Sequence, residues 1–157
     1  MELFKRHKVK KIIEKISGEE AVIEVNQVVS GIFYRNKSLL SYEELTIAYL
    51  EQLEVNIHSG GFYYFFWNQC GGSVAETLQA LKDIKSVEYL RIFEDAIGLF
   101  PRANVPKNID IRQNAIKRIE DEAIESWKKL DEEFSRYEEN LRGLILEYIT
   151  ENVDGFR

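Results

Sequence analysis

The chain has 157 residues, of which 45% are apolar and 31% charged, with a net charge of −6. That is the size and make-up of one soluble globular domain, not of a disordered chain. A single cysteine, Cys70, and two histidines, His7 and His58, leave no material for a disulfide framework or a cysteine-rich zinc site within one chain. No stretch approaches the ~20 apolar residues of a membrane helix, and the N-terminus lacks an apolar run of signal-peptide length, so a cytoplasmic protein without membrane contacts is expected. The charge is uneven. Residues 1–15 carry six basic and two acidic groups, leaving 15 basic and 25 acidic in the rest, a net −10. An acidic body with a basic tip repels nucleic acid and favours basic partners.

Residues 2–16 read as a basic amphipathic helix, with Leu3, Phe4, Val9, Ile12, Ile13 and Ile16 set against lysines and Ser17-Gly18 as its stop. We take residues 1–17 as an extension and residues 18–157 as the domain. The helix can pack on the acidic body, touch a membrane surface or nucleic acid, or mediate a homodimer. Glu19 to about Tyr34 places Ala21, Val22, Val25, Val28, Val29, Ile32 and Phe33 at helical spacing, although its valines also fit a strand. Ser41 and Glu44 form an S-x-x-E capping box before apolar positions at Leu45, Ala48, Tyr49, Leu53 and Ile57. Ser73 and Glu76 repeat that signal before Leu78, Leu81 and Ile84. Another helical run, Val87 to Phe100, stops at Pro101. Beyond the two prolines, Ile116, Ile119, Ala123, Trp127, Leu130, Phe134, Tyr137, Leu141, Leu144 and Tyr148 recur every three or four residues. This is one apolar seam, on a single long helix or on two that break near Tyr137. The fold class is all-α, a single-domain multi-helix bundle.

The oddest stretch is HSGGFYYFFWNQCGG, His58 to Gly72. Gly60 or Gly61 falls where a left-handed residue would end the helix from Ser41, so a Gly-Gly turn leading to a short aromatic helix is expected. A helix with rings almost all round is buried among other helices. Each ring covers ~150–250 Å². The rival, a base-stacking platform, needs cations beside the rings, and no Lys or Arg lies between Lys37 and Lys82. No H-x-x-x-H, C-x-x-C, G-x-x-x-x-G-K-[ST] or G-x-G-x-x-G occurs, so no metal, cofactor or catalytic residue is expected.

SGGFYYFFWN, Ser59 to Asn68, resembles the G-G-F-x-x-[FY]-F-x-N signature of the bacterial DNA mimic protein nineteen-like family, a domain family of largely unknown function. The resemblance extends through ETLQALKDIKSVEYLRIFEDAIGLFP, Glu76 to Pro101, and LDEEFSRYEENLRGLILEYI, Leu130 to Ile149, and covers roughly Glu19 to the C-terminus. Ser59, Tyr64 and Asn56 depart from the Asn, Gln and Glu common in the family at or near these places. The resemblance implies an all-α fold, no catalytic activity, and structural roles for Gly60, Gly61, Phe62, Phe65, Phe66 and Asn68. For the mimic itself it implies surface carboxylates that imitate DNA phosphates on a transcription regulator's DNA-binding face.

The candidate carboxylates here are Glu120, Asp121, Glu122, Glu125, Asp131, Glu132, Glu133, Glu138 and Glu139, mostly off the apolar seam. Lys128, Lys129 and Arg136 are interleaved, and Glu125–Lys129 and Glu132–Arg136 are self-neutralising i,i+4 pairs. Three functional readings stand. The first is a non-enzymatic interaction protein that binds a basic protein partner, such as a transcription regulator, through an acidic helical face, without direct contact to nucleic acid. The second is an immunity or antitoxin-like neutraliser of a toxin. The third is a small-ligand binder or enzyme with a pocket near His58, Glu54 and Cys70, in which His58 and Glu54 stand at i,i+4 spacing.

Overall fold

A computed structural model describes residues 2–136 and 140–156, with side chains from Lys8 onward. Seven α-helices are present among the described residues: α1 (Glu2–Lys15), α2 (Glu19–Asn36), α3 (Tyr42–Trp67), α4 (Val74–Asp83), α5 (Glu88–Ile97), α6 (Ile109–Arg136) and α7 (Leu141–Glu151). The all-α expectation holds. The valine-rich segment is helical because its apolar residues keep the helical period: Ala21, Val22, Val25, Val29 and Ile32 are all buried. Tertiary burial along one face outweighs the β preference of single residues. The C-terminal seam is divided between α6 and α7, and α7 starts at Asn140, whose side chain accepts the Gly143 N–H at 2.9 Å.

The Ser41 capping box forms in full. Glu44 N–H donates to Ser41 Oγ at 3.1 Å and Ser41 N–H to Glu44 Oε1 at 3.3 Å. The second S-x-x-E does not. Ser73 ends a short 3₁₀ turn, Gln69–Ser73, and its side chain caps nothing. Its carbonyl instead accepts from Thr77 Oγ1 at 2.7 Å. A cap needs an extended N-cap residue, and the 3₁₀ turn running straight into α4 denies Ser73 that conformation.

The break expected at the double glycine falls at Gly61. No loop separates Tyr42–Gly60 from Phe62–Trp67; helix α3 runs through, broken only at Gly61, with φ 76° and ψ −171°. That region of backbone space is essentially reserved for glycine. One residue re-aims the chain, so the aromatic segment continues out of α3 at once.

Helix α3 is the hub, packed against α2, α4 and α6. From α1, Val9 and Ile12 are buried in the same core as α2 and α3, and Lys10 pairs with Asp154 at 3.1 Å. The described part of the basic helix is therefore packed on the acidic body.

Candidate functional site

The aromatic segment is three-sided. Phe62, Phe65 and Phe66 are at most 1% exposed. Their rings meet Phe93 of α5, Phe100, and Trp127 and Phe134 of α6, with Phe66 edge-on to Phe100 at 5.0 Å. Tyr63 and Trp67 are half-buried and stacked at 5.7 Å, and Tyr64 is exposed. Burial on two sides rather than all round is what a helix lying at the edge of a small bundle permits.

Both ends of this segment are held by α6. At the N-terminal end, Phe62 N–H donates to Asp131 Oδ1 at 2.8 Å. An anion accepting a free N–H of a helix's first turn is favoured by the local dipole. Any Cβ on Gly61 would collide with this same carboxylate, so Gly61 is required both by its backbone angle and by the close approach of Asp131. Burial raises the Asp131 pKa above the ordinary 3.8, opposed by the Phe62 hydrogen bond, with Glu132 adding to the rise.

At the C-terminal end sits Arg112, which is 0% exposed. Its guanidinium donates to four carbonyls: Phe66 at 2.6 Å, Asn68 at 2.5 Å, Lys107 at 2.8 Å and Pro106 at 3.0 Å. Gln113 adds a bond to the Trp67 carbonyl at 3.0 Å, and Cys70 Sγ one to the Phe65 carbonyl at 3.3 Å. The orphan acceptors of the helix end are thereby satisfied, and a cation lies at the negative end of the dipole. The fixed fork of five N–H donors suits this task as an ammonium cannot. Burial lowers the Arg112 pKa, against a small opposing effect of Cys70, but a guanidinium remains charged at any working pH. Gly71 makes room, since a Cβ there would press on the Phe66 carbonyl and on Arg112 Nε. Asn68 closes the segment: its N–H donates to the Tyr64 carbonyl at 3.1 Å, and its amide reaches Asn56 Oδ1 at 3.5 Å.

The seven candidate carboxylates among the described residues do not form one surface. Glu120 accepts from Tyr63 Oη at 3.0 Å, and Asp131 turns inward to Phe62. Glu133 pairs with Arg91 at 2.6 Å, and Arg91 also holds Asp95 at 2.9 Å. Glu132 pairs with Arg136 at 3.0 Å as its spacing implies, whereas Glu125 meets Lys128 at 3.5 Å rather than Lys129. Asp121, Glu122, Glu125 and Glu132 are exposed. Glu138 and Glu139 lie outside the described residues.

Cys70 lines a polar cleft whose lining does not include His58 or Glu54. His58 is exposed and meets Phe134 edge-on at 6.1 Å, while Glu54 is drawn to Arg142 at 3.8 Å. The Cys70 thiol is pushed up to about 11, chiefly by burial and only partly offset by backbone hydrogen bonds and by Arg112. It is a thiol at neutral pH, not a nucleophilic thiolate. Its cleft measures about 530 Å³ and is lined also by Phe33, Tyr34, Gln52, Asn56, Asn68 and Gln69 among others. No sequence motif pointed to that cleft. Its amides come from α3 and from the segment after it, and only the fold brings them together. Sequence reasoning also missed Arg112, for which a sparse signal existed: a lone Arg at a helix start after a proline loop.

Fold and site together describe a small helical protein whose most distinctive sequence holds its architecture. The chain belongs to the DMP19-like protein family, whose model matches residues 38–152. The match starts within the loop before α3 rather than at Glu19, so α1 and α2 lie outside it. No curated protein and no solved structure matches the chain. No helix among the described residues is long and apolar enough to cross a membrane.

Proposed function

We propose that this protein is a non-enzymatic binder of a DNA-binding protein, with helix-surface carboxylates standing in for DNA phosphates. Family membership carries the reading, since the DNA mimic gives the family its name. The charge supports it: outside residues 1–15 the chain carries 25 acidic against 15 basic groups. A surface that binds DNA draws most of its sequence-independent affinity from phosphate charge, and carboxylates on rigid helices supply charge of the same sign. Of the strip on α6, the exposed Asp121, Glu122, Glu125 and Glu132 are the residues suited to contact. Glu120, Asp131 and Glu133 are engaged within the chain.

The test is to capture partners of the full chain from native lysate, elute them with a salt ladder, and compete each purified partner with duplex DNA. A DNA-binding protein released by moderate salt and displaced by DNA is the expected result. Binding that ignores both salt and DNA overturns the proposal.

A further inference from the structure

The antiparallel pair formed by the start of α3 and by α4 leaves a groove of about 300 Å³. Tyr42, Leu45, Thr46 and Tyr49 line it from α3, at the i, i+3, i+4, i+7 spacing of one helix face; Ala75, Glu76, Gln79 and Ala80 line it from α4. The walls are mainly apolar. The exception is Glu76: one of its carboxylate oxygens is buried and has no hydrogen-bond partner among the described residues. A buried carboxylate oxygen left without a donor is costly, and such groups call for a partner.

Outside the lining, Asp83 is bonded to two of the groove's residues. Tyr42 Oη donates to Asp83 at 2.5 Å, and Gln79 Nε2 donates to the other oxygen of Asp83 at 2.9 Å. The Tyr42 hydroxyl pKa is pushed up to about 12, first by that hydrogen bond, then by burial and by the charge of Asp83. Burial and then the charge of Glu76 raise that of Tyr49. Glu76 and Asp83 stand seven residues apart on α4, about 10 Å along the helix.

We infer that this groove receives the side chain of a lysine or arginine from the protein partner, its aliphatic stem against Leu45, Tyr49 and Ala80 and its charged head at the Glu76 carboxylate. The inference rests on the acidic-binder reading and deepens it. Lysine and arginine combine an apolar stem with a cationic head, which matches an apolar trough closed by a carboxylate. Tyrosine rings at Tyr42 and Tyr49 add faces that attract a cation. These are also the residues with which DNA-binding proteins hold phosphates, so one such side chain removed into the groove is one that cannot engage DNA.

The experiment is ¹H–¹⁵N correlation spectroscopy on the full chain, titrated with a capped Leu-Lys-Leu peptide and with the same peptide acetylated on lysine. The lysine peptide is expected to shift the amides of Tyr49, Ala75 and Gln79 saturably, and acetylation or Glu76→Gln to weaken it about tenfold, as loss of a charge-assisted hydrogen bond does. Ala75→Phe, at an exposed helix position, fills the groove while leaving the carboxylate, and is expected to abolish the same shifts. It serves as the decisive variant should Glu76→Gln disturb folding. Equal binding of the two peptides, or binding untouched by both variants, overturns the groove. Lysine-dependent shifts confined to α6 overturn the groove and leave the acidic-binder reading standing. No lysine-dependent shift anywhere overturns the groove and weighs against the acidic-binder reading as well.

Discussion

The aromatic segment Phe62–Trp67 and the acidic face of α6 lie against each other, yet they are built on opposite terms. The first is determined several times over: by ring packing, by a glycine-only backbone angle, and by charged side chains at both ends. The second is loose. Its carboxylates divide among an inward cap, a tyrosine partner, ion pairs and open solvent. One helix serves both regions, since Arg112, Asp131 and Trp127 face in while Asp121 and Glu122 face out. A count of acidic residues in a sequence therefore overstates the acidic surface, because some of those charges are spent as hydrogen-bond acceptors inside the fold.

Substitutions at four places sharpen or break this contrast, and urea denaturation reads the first three. Arg112→Met should cost the most, about 4 kcal/mol, because four carbonyls lose their donor together. Arg112→Lys should recover little of it, since an ammonium cannot span that fan of acceptors. Gly61→Ala comes next, at about 3 kcal/mol, from the forbidden backbone angle and the collision with Asp131. A stability loss under about 1 kcal/mol in either would show the motif to be less constrained than its geometry implies.

Asp131→Asn is the third, and its effect is on pH dependence. The folded Asp131 pKa is raised, so the folded state holds its proton where the unfolded state has lost it. Stability from this group is therefore full below the ordinary carboxylate value of 3.8 and declines as pH rises through the folded value. Asp131→Asn keeps an oxygen for Phe62 N–H and should flatten that part of the profile, changing stability at neutral pH by about 1 kcal/mol or less. An unchanged profile would show that burial of Asp131 has no thermodynamic consequence. The smallest effect on folding belongs to Asp121→Asn and Glu122→Gln, within about 0.5 kcal/mol for exposed sites. Isothermal titration against the captured partner should nevertheless show weaker binding for the pair. Equal affinity would remove this strip from the interface.

Much of the fold was legible because helices announce themselves locally. The Ser41 capping box and the period of the C-terminal seam each express short-range chemistry, and each is found where expected, whereas the helix expected to run to Phe100 ends at Ile97 and Pro101 opens a 3₁₀ turn. The same local logic failed at Ser73, where an identical S-x-x-E string follows a 3₁₀ turn and has no extended residue to cap from. Nor does local spacing foretell that Glu54 pairs with Arg142 of α7, 88 residues away in the chain.

By itself, then, the sequence determined the class of fold, the positions of most helices, and the burial of the phenylalanines of the aromatic motif. Periodicity and capping act over a few residues and need no knowledge of what lies opposite. Only the tertiary structure decided which charges are interior and which are free, that the carboxylate of Asp131 closes on Gly61, and that Glu76 lines an apolar groove. Those outcomes depend on which side chains α6 and α4 bring against α3. Such contacts join residues far apart in the chain, and a pattern of near neighbours carries no record of them.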